Sequence, residues 1–182
     1  MQRLTARTAS LSFAGWDRRR WLASMLALGF GLLALLRFGW GLVALQTMIF
    51  AWLLLLFAVV DLEQRLVPDR LLLAALSVVL VLNLWLQNPT IFSSLTGGVV
   101  ALAIFALIHL ARPAGMGWGD VKLAGLIGLM VGFPNALFAL LLGMIAGGVV
   151  ALFLLLRGED RKQSLPYAPA LAVGAWIMLY LF

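Results

Sequence analysis

The 182-residue chain holds seven acidic residues: Asp17, Asp61, Glu63, Asp69, Asp120, Glu159 and Asp160. Five lie in polar stretches and read as solvated flank charges. Asp61 and Asp120 differ, because each abuts an apolar run directly. Asp61 closes Leu-Phe-Ala-Val-Val-Asp, and Asp120 opens Asp-Val-Lys-Leu-Ala-Gly. A carboxylate at the edge of hydrocarbon is costly unless it is paired, solvated in a cavity or protonated, so both are candidates for function. Two facing carboxylates can split a peptide bond. One, ionised, takes a proton from water; the other, protonated, hydrogen-bonds the scissile carbonyl and stabilises the developing oxyanion. Close like charges keep both from ionising, and a low-dielectric site strengthens that effect. The plainer readings are a helix-end charge facing headgroups for Asp61 and an N-cap for Asp120, accepting backbone N–H groups at a helix start.

Other chemistries have less to work with. The chain has no cysteine, which excludes disulfides and thiolate metal sites. Its only histidine is His109, so a histidine metal cage is not available, and neither a metal nor a cofactor is expected. His109 falls near the end of an apolar run, where packing is favoured over catalysis. Gly115, Gly117 and Gly119 precede Asp120. They can adopt backbone angles closed to other residues and let a substrate backbone lie close. No strand precedes them and their spacing is wrong for a dinucleotide fingerprint.

The elements that must position these residues are membrane helices. Hydrophobic residues make up 64% of the chain and charged ones 11%, against about half and about a quarter in soluble domains. Lipid must therefore solvate most of the surface. The apolar runs predict seven spans: 21–36, 38–60, 71–86, 95–111, 120–133, 136–156, and from about 166 to the end. Phe133-Pro134-Asn135 breaks the fifth from the sixth, since the residue before a proline is pushed out of the α region. The fifth span is short, about 21 Å against about 30 Å of hydrocarbon, which would recess Asp120 into the bilayer. Every Lys and Arg except Arg37 falls in the N-terminal segment or in the stretches 61–70, 112–122 and 157–162. That asymmetry puts those segments in the cytoplasm, with the N-terminus inside and the C-terminus outside. It also accounts for the net charge of +6 without nucleic acid. The fold expected is an all-α polytopic transmembrane bundle, with residues 1–20 a basic cytoplasmic segment and 21–182 one membrane domain. Gly97, Gly98, Gly143, Gly147 and Gly148 fall within spans and read as helix-packing positions.

Three motifs in order then resemble one family. Gly117-Trp-Gly119-Asp120-Val-Lys122-Leu123 resembles the G-x-G-D-x-K-L signature of the type IV prepilin peptidases, the membrane GxGD aspartyl proteases of bacteria. Asp61-Leu-Glu-Gln-Arg-Leu-Val-Pro68-Asp69 resembles that family's D-x-x-x-x-x-I/L/V-P-D/N. Leu165-Pro166-Tyr167-Ala-Pro169-Ala-Leu171-Ala-Val-Gly174 resembles its I-P-F-G-P-x-L-A-x-G, with Ala168 in place of a glycine. The resemblance implies that Asp61 and Asp120 form a catalytic dyad, supported by Gly117, Gly119 and Lys122. Lys122 would tune the dyad or position substrate, or would snorkel at the interface; Asp69 would start the third span. Substrates would be prepilin or pseudopilin precursors, cleaved at the cytoplasmic face of a bacterial inner membrane. Many members carry a four-cysteine N-terminal insert and methylate the new N-terminus. This chain has neither the room nor the cysteines for it, so methylation is not expected.

Two other readings remain open. One is a GxGD protease cutting within a transmembrane segment, although Val60 stands where those proteases set a tyrosine before the first aspartate. The other is a non-enzymatic transporter or scaffold subunit, for which the polar residues within spans are few.

Overall fold

A computed structural model describes residues 13–111, 116–157 and 167–181, with side chains from Trp21 onward. These residues form seven helices and no strand: α1 (Phe13–Phe38), α2 (Leu42–Gln64), α3 (Asp69–Leu86), α4 (Ile91–Ala111), α5 (Trp118–Val131), α6 (Asn135–Leu156) and α7 (Ala168–Leu181). The all-α bundle expected from the apolar runs is what forms. Five helices are long and apolar enough to cross a membrane, whereas α5 and α7 have 14 residues each.

The helices run further than the apolar runs do. α1 begins at Phe13, inside the segment read as a basic flank. α2 continues to Gln64 and so contains Asp61 and Glu63, and α3 begins at Asp69 itself. Three residues read as loop charges, Asp17, Glu63 and Asp69, are thus helical. The physical reason is that a helix end needs only a cap, not apolar residues. Arg65 closes α2 in a left-handed conformation (φ 53), its N–H donating to the Asp61 carbonyl. Arg37 lies in the last turn of α1, and the turn itself follows at Gly39 (φ 70). Gly115 and the stretch 158–166, with Glu159, Asp160 and Pro166, lie outside the described residues.

The core forms around α5. Nine of its residues are buried, from Val121 to Val131, on all sides of the helix. It packs against α3, α4, α6 and α7. A helix apolar all round belongs in an interior, so α5 has no need to match the bilayer thickness.

Glycines let its neighbours approach. A Cβ on Gly128 would press into the Gly97 carbonyl, and one on Gly97 would lie 2.5 Å from the Gly128 carbonyl, so α4 and α5 touch backbone to backbone. A second such seam joins α6 to α7, where a Cβ on Gly174 would press into the Ala139 carbonyl and lie 2.5 Å from Gly143 N. Gly98, Gly143 and Gly147 also pack as expected, whereas Gly148 faces open space.

A polar cluster fixes the end of the bundle away from the aspartates. Buried Asn83 of α3 accepts from Gln46 Nε2 (2.8 Å) and donates to Ser94 Oγ and the Leu129 carbonyl (2.8 Å each). Ser94 Oγ donates to the same carbonyl (2.7 Å). Four helices therefore meet through one asparagine.

Candidate active site

The site residues gather where α2 ends and α3, α5 and α7 begin. Along α2 the buried residues Phe50, Leu54, Phe57, Ala58 and Asp61 recur at helical spacing, which sets them on one face. Asp61 is the last of that stripe, so its side chain turns inward and is only 5% exposed. The reading of Asp61 as a charge facing headgroups is thereby corrected. Its Oδ2 accepts the N–H of Ala168, the first residue of α7, at 3.0 Å. A helix start has unpaired N–H groups and the positive end of the helix dipole, so it suits a carboxylate.

Asp120 occupies the third position of α5, three residues after the N-cap, Gly117. It is not the N-cap itself. Its Oδ2 reaches back to accept the Gly117 N–H at 3.2 Å, as the acidic member of a capping box does. Gly117, without a side chain, cannot supply the reciprocal bond. Each aspartate thus has one oxygen tied to a backbone N–H, and its other oxygen makes no hydrogen bond among the described residues.

The two carboxylates stand at one end of the bundle, where burial, then the Gly117 hydrogen bond and last the charge of Asp61 act on Asp120. Asp120 in turn acts on Tyr167, the residue before Ala168. Burial, and then the Asp120 charge, push the Tyr167 phenol above its ordinary range. Ala168 thus meets Asp61 through its N–H, while the ring of its neighbour Tyr167 packs against Gly147.

Gly119 brings the two aspartate-bearing segments together. A Cβ there would lie 3.0 Å from Val67 Cβ and 3.3 Å from its Cγ2. The α2–α3 connection thus rests directly on the first turn of α5. Gly117 differs: a Cβ would meet only ordinary contacts, the nearest being Asp120 Oδ2 at 3.6 Å. Neither glycine uses backbone angles closed to other residues, since Gly117 has φ −79 and the positive-φ glycines among the described residues are Gly39 and Gly132. The expectation of unusual backbone angles is corrected for both; space, and only at Gly119, is what glycine supplies.

The chain matches the type IV leader peptidase family over residues 48–152, a stretch that holds both aspartates. It belongs to that family. It is 30% identical over 148 residues to the prepilin leader peptidase/N-methyltransferase of Bacillus subtilis, covering 81% of this chain and 59% of that protein. It is also 30% identical to the protein of that name from Aeromonas hydrophila, over 78% of this chain and 50% of the relative. For Pseudomonas aeruginosa the figures are 28%, 72% and 48%. The chain thus spans about half the length of these relatives. No solved structure matches it significantly.

Lys122 is not hydrogen-bonded to Asp61 or Asp120. Its Nζ donates to Asp69 Oδ1 at 2.6 Å, joining α5 to the first residue of α3. The two side chains are 44% and 69% exposed, and exposed pairs contribute less than about 1 kcal/mol. The sequence reading assigned no role to Val67, Tyr167 or the Ala168 N–H. Tyr167 and Ala168 sit in the third motif, which was the signal available. Val67 is apolar in a polar stretch, and no periodicity marks such a contact.

Proposed function

We propose that this chain is a membrane aspartic endopeptidase that removes the short leader from type IV prepilin-like precursors, with water activated between Asp61 and Asp120. The observation that carries the reading is the placement of two carboxylates at one end of the bundle, each with one oxygen held by a backbone N–H and one without such a bond. The ionised member takes a proton from water as the oxygen attacks the scissile carbonyl carbon. The protonated member donates to the carbonyl oxygen, and the tetrahedral intermediate collapses once the amide nitrogen receives a proton. Neither step draws on a metal or a nucleophilic side chain.

Gly119 supports the dyad by letting the α2–α3 connection close on α5. Lys122 supports it at one remove, by tying α5 to α3 through Asp69. The basic residues of 61–70 and 112–122 favour a site facing the cytoplasm, in the inner membrane of a bacterium. Residues 21–182 would form the peptidase domain and 1–20 a basic cytoplasmic segment. A precursor would lay its apolar helix against the bundle in lipid while its leader remains in water beside the aspartates.

The test is Asp61→Asn and Asp120→Asn, each assayed for initial cleavage rate with a purified precursor in detergent. Each substitution should cut kcat by about a thousandfold or more, as loss of a group acting as a unit with its partner does. Processing at the unaltered rate by either variant would refute the dyad.

A further inference from the structure

We infer that His109 is a positioning residue for this site, clasping the segment that sets Asp120. The inference rests on the reading of Asp120 given above. His109 lies in the last turn of α4 and is 9% exposed. Its Nδ1 is 2.7 Å from the Met116 carbonyl oxygen. A carbonyl only accepts, so Nδ1 carries the hydrogen. The imidazole also meets the Trp118 indole, with ring centroids 4.5 Å apart and planes tilted by 52°. Offset and tilted ring pairs of this kind are attractive beyond their buried area.

Met116 and Trp118 flank Gly117, and Gly117 makes the hydrogen bonds that fix Asp120. Its N–H donates to Asp120 Oδ2 at 3.2 Å, and its carbonyl accepts the Asp120 N–H at 3.1 Å. One histidine therefore holds the residue on each side of the glycine on which Asp120 is built. Gly117 and Gly119 have no side chains, and Trp118 is half exposed. Met116 is only partly buried against the core, so the contacts from α4 add to the placement of this segment.

His109→Phe keeps a ring against Trp118 and removes the donor; His109→Asn keeps a donor near the Nδ1 position. Misplacement by about 1 Å costs on the order of a hundredfold in rate. His109→Phe should therefore lower kcat by about 10- to 100-fold with KM within about twofold, and His109→Asn should recover kcat to within about threefold of the parent. Trp118→Leu, at an exposed position, removes the ring contact alone and should lower kcat by about threefold.

A second readout does not depend on which residues are catalytic. The chain has no cysteine, so Met116→Cys introduces a single thiol while leaving the backbone carbonyl in place. Maleimide labelling of that thiol should quicken by about tenfold when His109→Phe is added, as a released segment opens more often. The inference is overturned if His109→Phe and Trp118→Leu both keep kcat within about twofold, if His109→Asn fails to rescue, or if labelling is unchanged. Full activity in Asp120→Asn, with labelling still quickened by His109→Phe, would overturn the assignment of Asp120 while leaving the clasp standing.

Discussion

Gly119→Ala is the most direct probe of how the two aspartate segments are brought together. The new methyl would lie 3.0 Å from Val67 Cβ, 3.3 Å from Cγ2 and 3.5 Å from the Val67 nitrogen. Carbon atoms pack at about 3.5–4.0 Å, so the α2–α3 connection must retreat from α5 by about 0.5–1 Å. Overpacking of this size costs about 1–3 kcal/mol. Alanine in a helix recovers up to about 1 kcal/mol relative to glycine. Net stability should therefore fall by no more than about 2 kcal/mol, and the protein should still fold. Catalysis should suffer more, because the retreat separates the segment bearing Asp61 from the one bearing Asp120. A displacement near 1 Å predicts a fall in kcat of about tenfold to a hundredfold. The assay is the initial rate of precursor cleavage, with Gly117→Ala as the control. A Cβ there meets nothing closer than 3.6 Å, and kcat should stay within about twofold. Rescue should be ordered. Val67→Gly removes the atom at 3.0 Å, whereas Val67→Ala removes only the one at 3.3 Å, so the former should restore Gly119→Ala more fully. Equal damage from Gly117→Ala and Gly119→Ala, or rescue in the reverse order, would refute the reasoning.

Three further outcomes are expected. Gly174→Ala drives a Cβ into the backbone of Ala139 and Gly143 and should destabilise by about 3 kcal/mol or more, read as a lower Tm in detergent; Gly148→Ala, with nothing within 4 Å, should be neutral or stabilise by up to about 1 kcal/mol. Asn83→Ala removes three buried interhelical hydrogen bonds. At about 0.6 kcal/mol each in membranes, that is a loss of about 2 kcal/mol, and an unchanged Tm would count against the cluster as a clamp. Tyr167→Phe keeps the ring against Gly147 and removes the phenol. Because the folded phenol titrates above its ordinary range, it stays protonated through neutral and mildly alkaline pH, so the alkaline limb of kcat should move by less than about half a pH unit; a larger shift would give the phenol a part in proton transfer.

Much of the fold was legible because membrane helices are written in runs of apolar residues. All seven helices were found in order, and the proline break at Phe133-Pro134 falls between α5 and α6 as read. The helix ends were less legible at α2 and α3, where polar residues 61–64 and 69–70 continue helices that hydropathy closes. Polar character says where water begins, not where hydrogen bonding stops. The site divides the same way. Asp61 and Asp120 stand out because a charge beside hydrocarbon is rare. Which way each points was not legible until the helix extended past Asp61 and completed the stripe with Phe57 and Ala58. The glycines misled in one respect, since type alone cannot separate a need for unusual angles from a need for space. Val67 and Ala168 act through distant partners that no spacing along the chain encodes, and His109 reaches Met116 and Trp118 across the turn that separates α4 from α5.

The same contacts explain why a helix too short to cross the bilayer occupies the centre of the bundle. At its far end the Leu129 carbonyl of α5 accepts from Asn83 and Ser94, and the Phe133 N–H just beyond it donates to the Ser93 carbonyl at 2.9 Å. At its near end Gly119 rests on Val67, and Lys122 pairs with Asp69. Along its length the Gly97–Gly128 contact locks it to α4. A helix gripped at both ends cannot slide, and interiors packed this closely transmit displacement instead of absorbing it. The position of Asp120 along the bundle axis is therefore fixed from the opposite end, nine residues or about 13.5 Å away along α5. α2 shares that anchor through Gln46, whose Nε2 donates to Asn83. One buried asparagine thus sets a common reference for the helix carrying Asp61 and the helix carrying Asp120, which is how two aspartates far apart in sequence can be held in register without any direct bond between them.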